Sequence, residues 1–285
     1  MKDTAPITSG VIRAALREDA PRGDITSRAT IPASAVCRAR LIAKQDFILC
    51  GGGVFAQTFK LASPRVRVTL KFRDGARVPK GAVVATVTGP ARAILTAERV
   101  ALNYLQRMSA VATHTRRFVD AVAGTGAVIL DTRKTIPGWR DLDKYSVRMG
   151  GGQNHRRDLS GMALIKENHI AVAGGIGPAV ARARALIPKG IMIEVETTCE
   201  REIKEALMAG ADRIMFDNMT PPQVRRGVNL VAGQAETEAS GNMNLNNIRA
   251  YARTGVDFIS VGSLTNSPPA VDVSLLVEIK IVRPR

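Results

Sequence analysis

The chain has 285 residues, 45% of them hydrophobic and only 4% aromatic, with a net charge of +16 from 41 Lys and Arg against 25 Asp and Glu. That length supports a sizeable core and two domains, and the composition is that of an α/β protein rich in small aliphatic side chains. No apolar run approaches the ~20 residues that span a bilayer, the charged N-terminus (Lys2, Asp3, Glu18, Asp19) lacks a signal-peptide core, and Cys37, Cys50 and Cys199 are too few and scattered for a disulfide framework or a zinc site, so a cytoplasmic protein is expected.

In chain order, residues 9–16 are predicted as a short helix with Ser9 as N-cap, followed by a polar connection to Thr26. Residues 36–43 and 47–49 read as strands, closed by Gly51, Gly52 and Gly53, and a helix through Phe55 and Phe59 comes next. Residues 66–72 alternate apolar and basic, as a half-buried strand does, and 82–87 form another strand after the turn signals Asp74-Gly75 and Pro79-Lys80-Gly81. Nothing in this part looks catalytic. Residues 95–111 are apolar at helical spacing; within them Arg99, taken alone, pairs with Glu98 in its own turn. A second, basic helix is predicted over 113–123.

From Ala127 the pattern changes to strand, loop and helix, repeated, with strands at 127–130, 162–165, 191–195, 213–216, 235–239 and 258–261. Such alternation argues a parallel sheet, here a barrel or partial barrel. Polar residues recur after each strand, where βα-barrel enzymes carry their chemistry. Arg133 and Lys134 follow the first run and precede Pro137-Gly138, His155 and Arg156 follow Gly150, Gly151 and Gly152, and Lys166 ends the second run. Three loops thus deliver positive charge, which suits a small polyanion. A nucleic-acid binder would want a continuous basic stripe or an aromatic RNA-binding motif, and neither is visible, so no nucleic-acid partner and no membrane partner is expected.

Acids face the same mouth. Glu196 and Asp217 could hold Mg²⁺, directly or through water, or accept sugar hydroxyls. Asp217 could instead cap the helix that follows it. Ser240-Gly241 and Gly262-Ser263, read as opening the last two helices, offer backbone N–H groups to a phosphate.

At this point the residues resemble a family. DTRKTIPGWRDLDKYSVRMGGGQNHR from Asp131, LIKENHI from Leu164, EVE at 194–196, FDNM at 216–219, EASG at 238–241 and ISVGSLT at 259–265 closely resemble quinolinate phosphoribosyltransferase, as do EDAPRGDITS at 18–27 and LTAERVALNYLQRMSAVAT at 95–113. The resemblance implies an N-terminal α/β sandwich domain over 1–112, an incomplete α/β barrel with the active site over 113–270, and a C-terminal segment, 271–285, returning to the first domain. It implies a homodimer or a hexamer built as a trimer of dimers, with shared active sites. On it, Arg133, His155, Arg156 and Lys166 surround quinolinate with Arg99 of the partner subunit; Lys134 contacts phosphoribosyl pyrophosphate, Glu196 and Asp217 its ribose and Mg²⁺, and Ser240, Gly241, Gly262 and Ser263 its phosphate. Lys134, Lys166, Glu196 and Asp217 are the catalytic set that follows. Two positions depart from the family: Asn242 stands where a glycine is usual, and Asn266 where a histidine is common. The runner-up is a paralogue using this scaffold on a different acceptor.

Overall fold

The computed structural model describes residues 7–278 and divides into two units: the chain up to His114 with Asp141–Gly151 and the chain from Pro268, and Thr115–Arg140 with Gly152–Ser267. Lys2, Asp3 and the end of the C-terminal segment, 279–285, lie outside the described residues.

The first unit opens with α1 (Ser9–Asp19) and α2 (Ile25–Thr30). Ser9 lies inside α1 rather than capping it, because its hydroxyl accepts from Gln57 Nε2 at 3.0 Å; Thr8 is the flanking residue. β1 (Val36–Ala43), β2 (Phe47–Ile48), α3 (Gly52–Ala62), β3 (Arg67–Leu70), β4 (Arg77–Val78) and β5 (Val83–Pro90) follow. Alternation along β1 buries Ala39, Leu41 and Ala43, and these pack in a core with Phe47, Phe55 and Phe59. Each such phenylalanine contributes roughly 1.5–3 kcal/mol by leaving water. The helices expected at 95–111 and 113–123 are one, α4 (Ala91–Ala121), since the buried Ala112 and its neighbours include no glycine or proline to break the ladder.

The second unit is built on β6 (Val128–Leu130), after which α5 (Arg140–Met149) belongs almost wholly to the first unit. β7 (Ala163–Ile165), α6 (Glu167–Ala173), α7 (Ile176–Leu186), β8 (Ile193–Thr197), α8 (Glu200–Met208), β9 (Arg213–Asp217), α9 (Pro221–Val231), β10 (Glu236–Ser240), α10 (Ile248–Ala252), β11 (Phe258–Ser260) and α11 (Ser263–Asn266) complete it. The six strands pair in parallel in the order β6-β11-β10-β9-β8-β7. Among the described residues β6 and β7 do not pair with each other, so this is an incomplete barrel. All six strands point the same way, and their carboxyl ends deliver the polar residues to one rim.

β12 (Val273–Glu278) pairs antiparallel with β1, and the first unit's sheet runs β12-β1-β5-β3. A third expectation also fails locally. Ser240-Gly241 does not open a helix, because Asn244 and Asn247 both donate side-chain amides to the Asn242 carbonyl and hold a loop there; α10 begins only at Ile248.

Packing between the barrel and its outer helices is tight at Gly227 in α9. A Cβ there would stand 2.9 Å from Phe216 Cε1 and 3.1 Å from Ile203 Cδ1. Gly227→Ala gains up to about 1 kcal/mol of helix propensity but loses about 1–3 kcal/mol to overpacking, so a lowered thermal midpoint is the expected result of a melting experiment.

Candidate active site

The sheet's carboxyl ends open on a cavity of about 600 Å³ lined by Arg133, Lys134, His155, Arg156, Lys166, Glu196, Asp217, Ser240, Gly241 and Gly262. Ten of the residues singled out from sequence thus meet in one place, Glu196, Asp217 and Ser240 from the carboxyl ends of β8, β9 and β10 and the others from the loops after β6, β7, β10 and β11. Ser263 and Asn266 are not among the lining, and Asn266 is exposed at the end of α11. Arg99 lies in the first unit, exposed on α4, where among the described residues it makes no salt bridge.

Buried side chains set the two cationic loops. Asp131, fully buried just past β6, accepts the His155 amide at 2.9 Å on Oδ1 and the Asn154 side-chain amide at 2.6 Å on Oδ2. One carboxylate therefore ties the loop carrying Arg133 to the loop carrying Arg156. Thr265, also fully buried, donates its hydroxyl to the Lys134 carbonyl at 2.8 Å. Gly262 clears the path of that lysine: a Cβ there would be 3.1 Å from Lys134 Cδ.

The guanidinium groups are electrostatically strained. Arg133 Nε is buried without a hydrogen-bond partner, an arrangement that costs about 1–3 kcal/mol. Burial, and then the positive charge of Arg133, lower the pKa of Arg156, whose Nη1 donates to the Met162 carbonyl at 3.0 Å. Two close cations and an unspent buried donor are what an anion would relieve. Lys166 forms an ion pair with Glu196 and is also the N-cap of α6, where His169 Nδ1 accepts its amide at 3.0 Å.

Asp217 ends β9 and accepts the Asn218 side-chain amide at 2.7 Å. It does not cap α9; Thr220 and Gln223 form that helix's capping box. Asn242, the departure in the phosphate loop, adopts φ +51°, a left-handed conformation that asparagine tolerates better than most residues, and its side-chain amide donates to Asn218 Oδ1 at 3.2 Å. Gly241 has φ +102°, and a Cβ on it would lie 2.3 Å from Asn218 Oδ1 and 2.9 Å from the Asn218 amide nitrogen. Strain of about 1–3 kcal/mol at such a position makes Gly241→Ala a specific lesion: the KM for the phosphate-bearing substrate should rise about tenfold or more, with the KM for the other substrate held, in steady-state kinetics.

His155 sits over two acids that sequence reasoning had quoted without a role. Its Nε2 is 3.0 Å from Glu194 Oε2 and 3.4 Å from Glu238 Oε2, and both carboxylates are fully buried. Burial pushes the imidazole pKa down, but the hydrogen bonds and charges of the two glutamates outweigh it and raise it to about 9. Nδ1, however, accepts the Arg156 amide at 2.8 Å and must keep its lone pair to do so. That hydrogen bond is the more specific constraint, and in this geometry the ring is the neutral tautomer with its proton on Nε2. Burial and the charge of Glu238 raise Glu194 to about 7, so the cluster has a carboxylate that competes for a proton near neutrality. Spacing hints at the facing of one of these acids, since Glu194 stands two residues before Glu196 in a strand and so shares its face, but nothing local marks Glu238 or joins either acid to His155.

A parallel, incompletely closed α/β barrel with cations and carboxylates gathered at its strand ends defines an enzyme of small anionic substrates, phosphate-bearing ones among them. Residues 24–109 and 111–276 match the N-terminal and C-terminal domains of quinolinate phosphoribosyl transferase. The chain is 43% identical over 258 residues to the probable nicotinate-nucleotide pyrophosphorylase [carboxylating] of Bacillus subtilis, covering 90% of this chain and 89% of that one. It is 41% identical over 290 residues to the chloroplastic nicotinate-nucleotide pyrophosphorylase [carboxylating] of rice, Oryza sativa subsp. japonica, covering 95% of this chain and 78% of that one. The solved nicotinate-nucleotide pyrophosphorylase of Francisella tularensis superposes with a TM-score of 0.92 at 40% identity, over 95% of each chain. The chain belongs to the quinolinate phosphoribosyltransferase family.

Proposed function

We infer that this site joins quinolinate to the ribose of phosphoribosyl pyrophosphate, giving nicotinate mononucleotide, pyrophosphate and CO₂ in NAD biosynthesis. The observation that carries this reading is the pair of guanidinium groups from Arg133 and Arg156, mutually repelling and with the buried Arg133 Nε unspent, in a cavity shared with Lys134 and Lys166. Quinolinate brings two carboxylates, and a planar guanidinium fork accepts a carboxylate in two parallel hydrogen bonds. Arg133, Arg156 and Lys166 would take the acceptor, and Lys134 the donor. Ser240, Gly241 and Gly262 would take the 5′-phosphate, with Ser263 behind them. Arg99, exposed on α4, would complete the acceptor pocket of a second copy of the chain, which makes a dimer the minimal unit and leaves room for a trimer of dimers.

Glu196 and Asp217, both carboxylates of the cavity lining, would hold a magnesium ion of the kind carried by a pyrophosphate once Glu196 exchanges Lys166 for it, since Mg²⁺ commonly takes one or two carboxylates and fills its shell with substrate oxygens and water. Bound there it would neutralise charge on the departing pyrophosphate.

The pyridine nitrogen attacks the anomeric carbon, and the bond to pyrophosphate breaks as positive charge builds on the sugar ring. Fixed carboxylates near that ring favour the charge without reorganising. The new pyridinium then accepts the electron pair left when the C2 carboxylate departs as CO₂, and a proton takes its place. Because the electron sink lies in the substrate, the protein's contribution is mostly alignment of two anions.

The three cysteines are all free thiols, as suits a reducing compartment such as the cytoplasm. Among the described residues no helix is long and apolar enough to cross a membrane. Purified protein incubated with quinolinate, phosphoribosyl pyrophosphate and Mg²⁺ should yield nicotinate mononucleotide and CO₂ in equal amounts. A paralogue acting on another acceptor would yield neither.

A further inference from the structure

Glu194, Glu238 and Arg213 have no part in the scheme above, yet they form a charged network inside the barrel. Glu194 and Glu238 converge on His155 Nε2 at 3.0 and 3.4 Å. Beyond them Arg213 Nη1 is 3.2 Å from Glu238 Oε2, with its guanidinium 4.2 Å over the Phe258 ring. Burying three such groups is costly unless their geometry does something for the fold or the site.

The geometry at the other edge of the imidazole says what that is. A direct ligand for a carboxylate must aim an N–H into the cavity, but the Nε2 proton is directed at the glutamates and Nδ1 accepts the Arg156 amide at 2.8 Å. The His155 side chain is only 6% exposed. Arg156 in turn is held at both ends, by His155 at its amide and by the Met162 carbonyl at its guanidinium, 3.0 Å away.

Resting on the activity inferred above, we propose that His155 is a positioning residue rather than a substrate ligand: Glu194 and Glu238, with Arg213 as countercharge, lock its ring so that Nδ1 fixes the backbone of Arg156 and hence the angle at which that guanidinium meets the dicarboxylate. The buried acids are then the outer part of the acceptor pocket, and the loop of Asn154 to Arg156 is set from below by side chains that never touch substrate.

The test compares two neutral replacements of similar size. His155→Asn keeps an acceptor close to where Nδ1 stands, whereas His155→Gln keeps a donor toward the glutamates but leaves no acceptor near the Arg156 amide. Steady-state kinetics should show both variants with an unchanged KM for phosphoribosyl pyrophosphate, the KM for quinolinate rising about tenfold or more in His155→Gln and several-fold less than that in His155→Asn, which loses the contact to the glutamates but keeps the acceptor. Placed on Arg156→Ala, His155→Gln should add almost nothing, because a residue acting through Arg156 has no effect once that side chain is gone. Equal damage from Asn and Gln, or effects that multiply in the double variant, would overturn the proposal. A lowered melting point and kcat with KM unmoved in His155→Gln would also overturn it, since that is the signature of a merely structural histidine. A wild-type protein that neither turns over nor binds quinolinate in calorimetry removes the activity reading and this proposal together, an outcome distinct from the variant patterns.

Discussion

Arg133→Ala should lower kcat/KM for quinolinate by about two to three orders of magnitude while leaving the thermal midpoint unchanged or slightly raised. Losing one partner of a desolvated, hydrogen-bonded charge pair costs about 2–5 kcal/mol, and every 1.4 kcal/mol is about tenfold. The unusual part is the second half of the expectation. Truncating a half-buried residue generally destabilises, but here the free protein loses a cation that depresses its neighbour Arg156 and a buried Nε with no partner. Both are liabilities until an anion binds, so stability and binding should move in opposite directions, as they do where a site is kept strained for function. Arg133→Lys restores the charge but not the planar fork and should recover only part of the loss. The measurements are KM for each substrate and a melting curve. A large fall in melting temperature would mean that Arg133 holds the loop together, and the site assignment would have to change.

How far the site was legible from sequence follows from the barrel's geometry. Short apolar runs each followed by a polar residue can be read, because a strand buried on both faces leaves only its carboxyl end for chemistry; on that ground Arg133, Lys166, Glu196 and Asp217 stand out in the sequence alone. What could not be read was support from within. Asp131 looks like one more polar residue after β6, yet it is fully buried and sets two loops at once. Glu194 and Glu238 look like ordinary charges in strands, and only the parallel register, with Glu194 beside Arg213 and Glu238 beside Met215, brings them under His155. Pairing register joins residues far apart in the chain and leaves no local pattern. Nothing local marks α5 either, whose Asp143 and Lys144 are charged yet buried, Asp143 against Arg107 at 3.3 Å. Local breakers were over-read as well as under-read. A break was expected near Val111 in what is one long α4, and a helix was expected to open at Ser240, where side-chain amides of asparagine instead capture a carbonyl and hold a loop.

Asp217→Asn should produce the complementary defect: kcat reduced about 100- to 1000-fold, the scale of removing one preorganised electrostatic group, with the KM for quinolinate little changed. The substitution keeps volume and one acceptor oxygen, and Asp217 is the half-buried last residue of β9, at the rim rather than in the core, so the fold should be retained. A carboxylate in a cavity lined by Arg133, Lys134, Arg156 and Lys166 does nothing to attract the anions that those cations collect. Its benefit has to come from positive charge, which arises twice on the reaction path: on a magnesium ion accompanying the pyrophosphate, and on the sugar ring as the bond to pyrophosphate breaks. Neutralising Asp217 removes stabilisation of both without touching the acceptor. Interactions made chiefly in the transition state appear in kcat, those made equally in the ground state in KM. Arg133 and Asp217 should therefore fail in different columns of the same table of constants. If half-saturation by Mg²⁺ also moves upward in Asp217→Asn, the carboxylate holds the metal; if it does not, the carboxylate acts on the ribose alone. An Asp217→Asn enzyme with normal kcat and a raised KM for quinolinate would place this acid on the acceptor side, and the division of the cavity into a dicarboxylate half and a phosphoribosyl half would be wrong.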